Sequence, residues 1–210
     1  MSVQKAYDQW ASQYDSNENR TRDLEARSLR ETLSAIEFDS CLELGCGTGK
    51  NSAWLAARTS DLLSVDLSGE MLARAREKVK DPHVQFKQVD LLGEWSFAEK
   101  GYDLAVFSLV LEHIEDLTEV FRKLAKAVKP GGYVYIGELH PFKQYTGSKA
   151  RFETEHGTQV VTCYDHHLSD FTMAGELSGF RVVTLREYFD GEAKEGVPRI
   201  LTILFQKGGI

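Results

Sequence analysis

A glycine-rich turn follows a short apolar run near residue 44 and constrains the fold more than any other stretch. Residues 41–44 have the length and character of a buried strand, and Gly45, Gly47 and Gly49 follow at alternate positions. Glycine lets the backbone turn tightly and lets a ligand lie against it without a Cβ in the way. A strand, a glycine loop and a helix in this order are typical of open α/β sheets that bind a nucleotide-like ligand at the carboxyl ends of their strands.

Downstream of this turn, the hydrophobic pattern alternates between strand-like and helix-like stretches. It predicts strands at 62–66, 84–89, 104–109 and 133–139, with helices between them at 50–58, 68–80 and 117–128. After a helix at 167–177, two strands at 180–188 and 200–206 follow each other with no helix between them, so we expect an antiparallel hairpin. The sequence therefore predicts a three-layer αβα sandwich with a doubly wound, mostly parallel seven-stranded sheet of Rossmann-like type.

The 210 residues are predicted to form a single domain with two covering segments. Residues 1–36 contain two amphipathic patterns and predict an N-terminal helical cover. Between 140 and 166 the periodicity fails, and we expect a long loop that acts as a substrate lid, because connections of this length are usually functional.

Charge and cysteine content argue against several classes of protein. A net charge of −7 disfavours a nucleic-acid-binding surface, which would be basic. Three cysteines without a Cys-x-x-Cys pair predict a reducing compartment and no structural metal site. The chain shows no signal-peptide pattern and no apolar run long enough for a membrane span, so we expect a cytoplasmic protein with no membrane partner.

Two acidic residues mark the ends of the strands that follow the glycine turn. Asp66 ends the predicted strand 62–66, and Asp90 comes directly after the strand 84–89. Because the carboxyl ends of parallel strands lie along one edge of a sheet, both carboxylates should lie beside the glycine turn. The carboxylate of Asp66 could accept hydrogen bonds from both hydroxyls of a ribose, and the carboxylate of Asp90 could accept one from the amine of an adenine.

The order of these motifs resembles the class I S-adenosylmethionine-dependent methyltransferases, in particular their small-molecule branch (type 11/25-like). The stretches that carry the resemblance are 43–49, 65–72, 89–91, 108–114 and 129–132, and residues 7–15 resemble the helix that often closes over the cofactor. The resemblance covers nearly the whole chain. It implies an enzyme that transfers a methyl group from S-adenosylmethionine to a small-molecule acceptor by in-line displacement and leaves S-adenosylhomocysteine.

The resemblance also implies where the cofactor binds. The cofactor-binding residues that it implies are Tyr14, Glu43, Gly45, Cys46, Gly47, Gly49, Asp66, Leu67, Met71, Asp90, Leu91, Ser108 and Leu109. Within this set, Glu43 either orients the glycine loop or meets the methionine amine, and Tyr14 covers the methionine end. No metal ion is implied, and His166 and His167 are sequence neighbours that would not share a helix face.

The acceptor side of the site is less constrained by the sequence. His140, directly after the fifth strand, is either a general base or a hydrogen-bonding anchor of the lid. Lys149 and Arg151 either hold an acidic substrate or form a solvated surface. Four aromatic residues either line a substrate pocket or form the core of the lid: Trp10, Phe142, Tyr145 and Tyr164.

Three other functions are compatible with parts of this pattern. The acceptor could be a protein or a tRNA, although the acidic chain shows no added recognition domain. The chain could also be a non-catalytic S-adenosylmethionine-binding regulatory protein, which would carry the same cofactor motifs. A nicotinamide-dependent oxidoreductase fits less well, because the glycines follow Gly-x-Gly-x-Gly rather than Gly-x-Gly-x-x-Gly. We expect a monomer or a homodimer.

Overall fold

The computed structural model describes residues 2–16, 18–154, 157–191 and 193–209, and a seven-stranded sheet lies at its centre. In chain order the strands are β1 (Ser40–Leu44), β2 (Asp61–Asp66), β3 (Val84–Gln88), β4 (Tyr102–Ser108), β5 (Val128–Leu139), β6 (Arg151–Thr154), β7 (Gly157–Val160), β8 (Phe180–Tyr188) and β9 (Ile200–Lys207). The order across the large sheet is β3-β2-β1-β4-β5-β9-β8, with β6 and β7 paired separately. Strands β1 to β5 are parallel, and β9 runs antiparallel to both of its neighbours. The predicted sheet with its terminal hairpin is thereby confirmed.

Helices flank the sheet, and alternate residues of its central strand contact different layers. The helices are α1 (Val3–Trp10), α2 (Arg20–Leu33), α3 (Ser52–Ala56), α4 (Gly69–Lys78), α5 (Leu117–Ala127), α6 (Pro141–Tyr145) and α7 (Leu168–Leu177). In β4, Val106 belongs to the same apolar cluster as Leu29 of α2, whereas Phe107 belongs to the cluster that contains Phe121 of α5. Because successive strand side chains point to opposite faces, the continuous apolar run of β4 is buried on both sides. None of the helices in the described part of the chain has the length and apolar character that a membrane crossing requires.

The segment 140–166 differs from the irregular loop that the sequence predicts. It contains α6 and the antiparallel pair β6 and β7. These elements are only four or five residues long, so their apolar positions are too few to produce a visible period. Phe152 of β6 stacks on Trp10 of α1 with ring centroids 5.2 Å apart. This segment therefore packs against the N-terminal helix.

Residues 2–16 are attached to the loops at the carboxyl ends of the strands by polar contacts. Asp15 accepts hydrogen bonds from Thr48 Oγ1 at 2.7 Å and from Lys78 Nζ at 2.5 Å. Ser68 Oγ donates to Asp8 at 2.6 Å. The N-terminal residues thus lie over the end of the sheet where the sequence places the ligand.

Glu138, near the end of β5, is a buried carboxylate that organises the turn after β4. Its Oε1 accepts hydrogen bonds from the backbone N–H groups of Val110 at 2.9 Å and Leu111 at 2.8 Å. Its Oε2 has no hydrogen-bond partner among the described residues. Burial, reinforced by the nearby charge of Glu112, raises the pKa of Glu138 to about 8.

This raised pKa predicts a pH-dependent stability difference between the wild-type protein and the Glu138→Gln variant. The folded-state pKa lies above the ordinary value of 4.5, so the stability that Glu138 contributes is complete below pH 4.5 and is lost as the pH rises towards 8. Glutamine does not titrate. We expect the melting temperature of the wild type, measured relative to the variant, to fall by at least about 2–4 °C between pH 5 and pH 8.5, which corresponds to about 1 kcal/mol for a chain of this size.

Calorimetric melting at four pH values between these limits tests the expectation. The buried groups Glu25 and Glu43 are present in both proteins, so the part of their titration that does not depend on Glu138 cancels in the difference. A difference in melting temperature that does not vary with pH would contradict the proposed titration of Glu138.

Candidate active site

A cavity of about 360 Å³ lies at the carboxyl ends of the parallel strands, beneath the N-terminal residues. We call it the glycine-loop cavity. Of the residues predicted for the cofactor, those in its wall are Tyr14, Gly45, Gly47, Asp66, Leu67, Asp90, Leu91, Ser108 and Leu109. The structure therefore brings together predicted residues from four separate strand ends and from the N-terminal cover.

The glycine loop has a backbone shape that side chains would disturb. Gly45 has a φ of 78°, and a Cβ built on it would lie 2.3 Å from Cγ2 of Val110. Gly47 has a φ of 53°, and a Cβ on it would meet no protein atom within 4 Å. Since Gly47 also lines the cavity, its missing side chain leaves the backbone open to a ligand.

Asp66 fixes the loop and faces the cavity. Its Oδ2 accepts a hydrogen bond from Gly47 N at 2.8 Å, and its Oδ1 accepts one from Ser68 N at 2.8 Å. Burial raises its pKa, and these two N–H groups counteract the shift. An ionised carboxylate has about four acceptor positions, so Asp66 can still accept hydrogen bonds from a ligand.

Asp90 is exposed at the cavity rim, where its Oδ1 accepts a hydrogen bond from Leu92 N at 2.9 Å.

Two buried glutamates lie behind the loop and border a small recess of about 50 Å³. Glu43 accepts hydrogen bonds from Ser52 Oγ and Ser64 Oγ, both at 2.6 Å, which favours the loop-orienting role. Glu25, which the sequence analysis missed, accepts hydrogen bonds from Ser108 Oγ at 2.8 Å and from Asn51 Nδ2 at 3.1 Å. Burial raises the pKa of both carboxyls to about 7.

A tyrosine that was not predicted as a site residue fastens the cover over the cavity. Tyr7 of α1 lies 2.7 Å from His113 Nε2, and His113 Nδ1 lies 2.7 Å from the carbonyl oxygen of Thr162. A carbonyl oxygen only accepts, so Nδ1 carries the proton, and in the neutral ring Nε2 accepts the Tyr7 hydroxyl proton. Burial raises the pKa of Tyr7 well above its usual value, so the hydroxyl stays protonated. Tyr7 could have been predicted as a site residue from the sequence, because Tyr7, Trp10 and Tyr14 share one aromatic face at helical spacing.

A second cavity of about 500 Å³ adjoins the first. We call it the cationic cavity, because its wall includes the basic side chains of Arg20, Arg22, Lys149, Arg151 and Arg199. Three residues line both cavities: Tyr7, Tyr14 and Leu109. Leu109 has a φ of 57°, which is unusual for a residue with a Cβ, and strained backbone of this kind is common at functional sites.

Glu112 is a buried acid in the wall of the cationic cavity. Its side chain is 8% exposed, and its Oε2 has no hydrogen-bond partner among the described residues. Burial raises its pKa.

A possible metal site lies beside this acid, where Glu112, His113 and Cys163 offer atoms within 4.8 Å of one another, but these residues fit a metal poorly. Both ring nitrogens of His113 already contact protein oxygens, and burial raises the pKa of the Cys163 thiol to about 12, whereas a metal binds the thiolate.

Several predicted site residues lie outside the walls of both cavities. His140 caps α6, with Nδ1 accepting a hydrogen bond from Phe142 N at 3.2 Å, and its Nε2 lies 2.9 Å from Glu187 Oε1. This geometry matches the lid anchor and gives no support to the general base.

The other predicted residues outside both walls are Glu43, Cys46, Gly49, Met71, Phe142, Tyr145 and Tyr164. Glu43 and Cys46 border the small recess behind the loop. Met71 packs with Ala6 and Trp10 in the core of the cover.

Comparison with known proteins places this geometry in a family. A family model described as a methyltransferase domain matches residues 42–136, which span the glycine loop and both strand-end acids. This part of the chain is therefore a methyltransferase domain, as the resemblance in the sequence implies. A ubiquinone biosynthesis O-methyltransferase of Hydrogenovibrio crunogenus is 30% identical over 69% of this chain and 61% of its own length. An uncharacterized methyltransferase of Emericella nidulans is 24% identical over 86% of this chain and 76% of its own length. The chain thus spans less than two thirds of the first of these two relatives.

Solved methyltransferase structures share the fold of this chain. The N-methyltransferase NodS from Bradyrhizobium japonicum, in complex with S-adenosyl-L-homocysteine, superposes with a TM-score of 0.74 at 20% identity and covers 99% of each chain. A methyltransferase from Listeria monocytogenes superposes with a TM-score of 0.77 at 20% identity, covering 90% of this chain and 99% of its own. S-adenosylmethionine, the cofactor expected from the sequence, is named in the description of the Listeria protein, and the NodS structure holds S-adenosyl-L-homocysteine.

The residues of this methyltransferase fit that cofactor. The open backbone at Gly47 leaves room for a ligand, and the free acceptor positions of Asp66 lie beside it. Leu67, Leu91 and Ile114 give the cavity apolar wall, which suits the flat face of a purine. Tyr7 and Tyr14 of the N-terminal cover also form part of the wall of this cavity.

Proposed function

We propose that this methyltransferase transfers a methyl group from S-adenosylmethionine to a small-molecule acceptor that binds in the cationic cavity. The observation that carries the proposal is the shared wall of the two cavities at Tyr7, Tyr14 and Leu109. A ligand in each cavity would meet the other at this wall. The volume of about 500 Å³ suits a small organic molecule.

The glycine-loop cavity holds the donor in this proposal. Asp66 accepts hydrogen bonds from the ribose hydroxyls, and Asp90 at the rim accepts one from the adenine amine. Glu25 keeps Ser108 in position, and Glu43 ties Ser52, just after the glycine loop, to Ser64 of β2 through the hydrogen bonds described above. When bound, S-adenosylmethionine supplies a methyl group that is already activated by the positive charge on its sulfur.

The chain itself supplies alignment and exclusion of water. Two tyrosines of the cover close the junction of the cavities. Tyr7 is held by the contact of its hydroxyl with His113, and the ring of Tyr14 lies 4.1 Å from the guanidinium carbon of Arg22. Holding an acceptor atom in line with the methyl carbon converts a bimolecular encounter into a reaction within one complex, which lowers the barrier by several kcal/mol. Desolvation at a closed junction also strengthens the nucleophile.

Two experiments in sequence test the proposed function. Calorimetry with S-adenosylhomocysteine first establishes donor binding, and the absence of saturable binding would refute the proposal. A metabolite library is then screened for transfer of a labelled methyl group. A small molecule that becomes labelled supports the proposal. Labelling of a protein or a tRNA instead, or binding without any transfer, would favour the alternatives weighed from the sequence.

A further inference from the structure

We infer that the acceptor is a small oxyanion, a carboxylate or a phosphate, whose negative charge is bound by the basic side chains of the cationic cavity. The inference rests on the proposed function, since it names the class of acceptor for the same site. Its starting point is the balance of charge in the cavity wall. Five basic residues line it against two acidic ones, Glu18 and Glu112, in a chain with 25 basic and 32 acidic residues.

The basic residues converge from parts of the chain that are distant in sequence. Arg20 and Arg22 begin α2, Lys149 and Arg151 lie around the start of β6, and Arg199 directly precedes β9. A solvated face of one helix would carry neighbouring charges from one element only. Like charges brought together from three segments repel one another unless an anion compensates them.

Internal ion pairs compensate part of this charge and leave two arginines for a ligand. Arg199 is paired with Asp190, and Lys149 Nζ lies 3.4 Å from Asp165 Oδ1. Neither Arg20 nor Arg151 has a carboxylate of the described side chains within 4 Å, and Asp190 acts on Arg20 only at longer range. Both are exposed, and both line the cavity. Guanidinium groups donate paired hydrogen bonds that match the geometry of carboxylate and phosphate oxygens.

The position of Arg20 is unfavourable for the helix that carries it. It occupies the first turn of α2, directly after the N-cap Asn19, where the positive end of the helix dipole disfavours a cation. A residue that violates a local preference without a structural gain is a candidate for a functional role. An anion bound beside Arg20 would interact favourably with both the guanidinium and the helix N-terminus.

Glu112 complements the arginines at the buried end of the cavity. Its Oε2 lacks a partner among the described residues although the side chain is 8% exposed. It can therefore accept a hydrogen bond from an O–H or N–H group of the acceptor. An acceptor with an anionic group at one end and an O–H or N–H group at the other satisfies both the exposed arginines and this carboxylate.

Calorimetry on the protein saturated with S-adenosylhomocysteine tests the inference. The probes are inorganic phosphate, hydroxy- and amino-carboxylates with their amides, and phosphate monoesters with their parent alcohols. We expect anions to bind at least about tenfold more tightly than their neutral counterparts, which is the effect of one well-placed charged hydrogen bond. Comparison of the two anion series identifies the carboxylate or the phosphate as the preferred group.

A charge-reversed variant shows whether the named arginines are responsible. Arg20→Glu/Arg151→Glu should lose at least about tenfold in anion affinity, and its melting temperature should be maintained because Arg20→Glu suits the helix N-terminus. The matched control Arg74→Glu/Arg186→Glu changes the net charge equally at exposed positions outside both cavities, and should stay within about twofold of the wild type.

The outcomes separate the two proposals. Absence of S-adenosylhomocysteine binding would refute the proposed function itself. Normal S-adenosylhomocysteine binding, combined with no preference for anions or with equal anion affinity in the two double variants, would refute the oxyanion inference alone.

Discussion

The Asp66→Ala variant is expected to bind S-adenosylmethionine at least about 100-fold more weakly than the wild type, because it loses two charge-assisted hydrogen bonds worth about 1.5 kcal/mol or more each. In the proposed function this carboxylate accepts hydrogen bonds from both ribose hydroxyls. It also holds the glycine loop through Gly47 N at 2.8 Å, so its removal affects the ligand and the loop together. Calorimetric titration with S-adenosylmethionine measures the loss.

The opposite end of the same strand offers a matched control. Asp61 begins β2 and forms an exposed ion pair with Lys100, away from both cavities. Asp61→Ala removes the same functional group from the same strand and should leave the dissociation constant unchanged within about twofold, since an exposed ion pair contributes little. Equal affinities for the two variants would show that Asp66 does not hold the cofactor.

The Gly45→Ala variant should be destabilised by about 2–5 kcal/mol, the sum of the left-handed backbone strain and the overpacking against Val110. Gly45 has a φ of 78°, and its new Cβ would lie 2.3 Å from Val110 Cγ2. The glycine is therefore required by the fold of the loop as well as by the ligand. Urea unfolding without cofactor measures the stability directly.

Two comparisons separate the contact from the strain. Gly47→Ala has a positive φ but no atom within 4 Å of the new Cβ, so it should cost only about 1–2 kcal/mol. In a Val110→Ala background, which removes the clashing methyl groups, Gly45→Ala should cost less than in the wild type. If Gly45→Ala and Gly47→Ala destabilise the protein equally, the close approach to Val110 has no energetic consequence.

The sheet and the glycine-loop cavity were predictable because both follow from local patterns. The apolar run before Gly45 and the acids at 66 and 90 could be placed along one edge from the rule that parallel strands end together. That rule gives a position along the chain but no direction for a side chain. His140 illustrates the limit: its backbone N–H donates to Arg199 O at 2.8 Å, and its ring lies against Glu187 on the side of the hairpin.

The cationic cavity could not be predicted because its wall depends on contacts between distant parts of the chain. Tyr7 and His113 meet across 106 positions, and Arg199 donates a hydrogen bond to Thr21 across 178 positions. The hydrophobic periodicity of the sequence does not predict contacts between residues this far apart in the chain. The sequence left open whether Lys149 and Arg151 are functional, and the structure adds that three further arginines line the same cavity.

The walls of the two cavities come from different parts of the chain. Most of the glycine-loop cavity lies inside residues 42–136, the part that matches the family model. Apart from Leu109 and Glu112, the wall of the cationic cavity comes from residues before 23 and after 138. In the proposed function, substitutions in these outer segments alter the choice of acceptor and leave unchanged the part of the donor cavity that lies within residues 42–136.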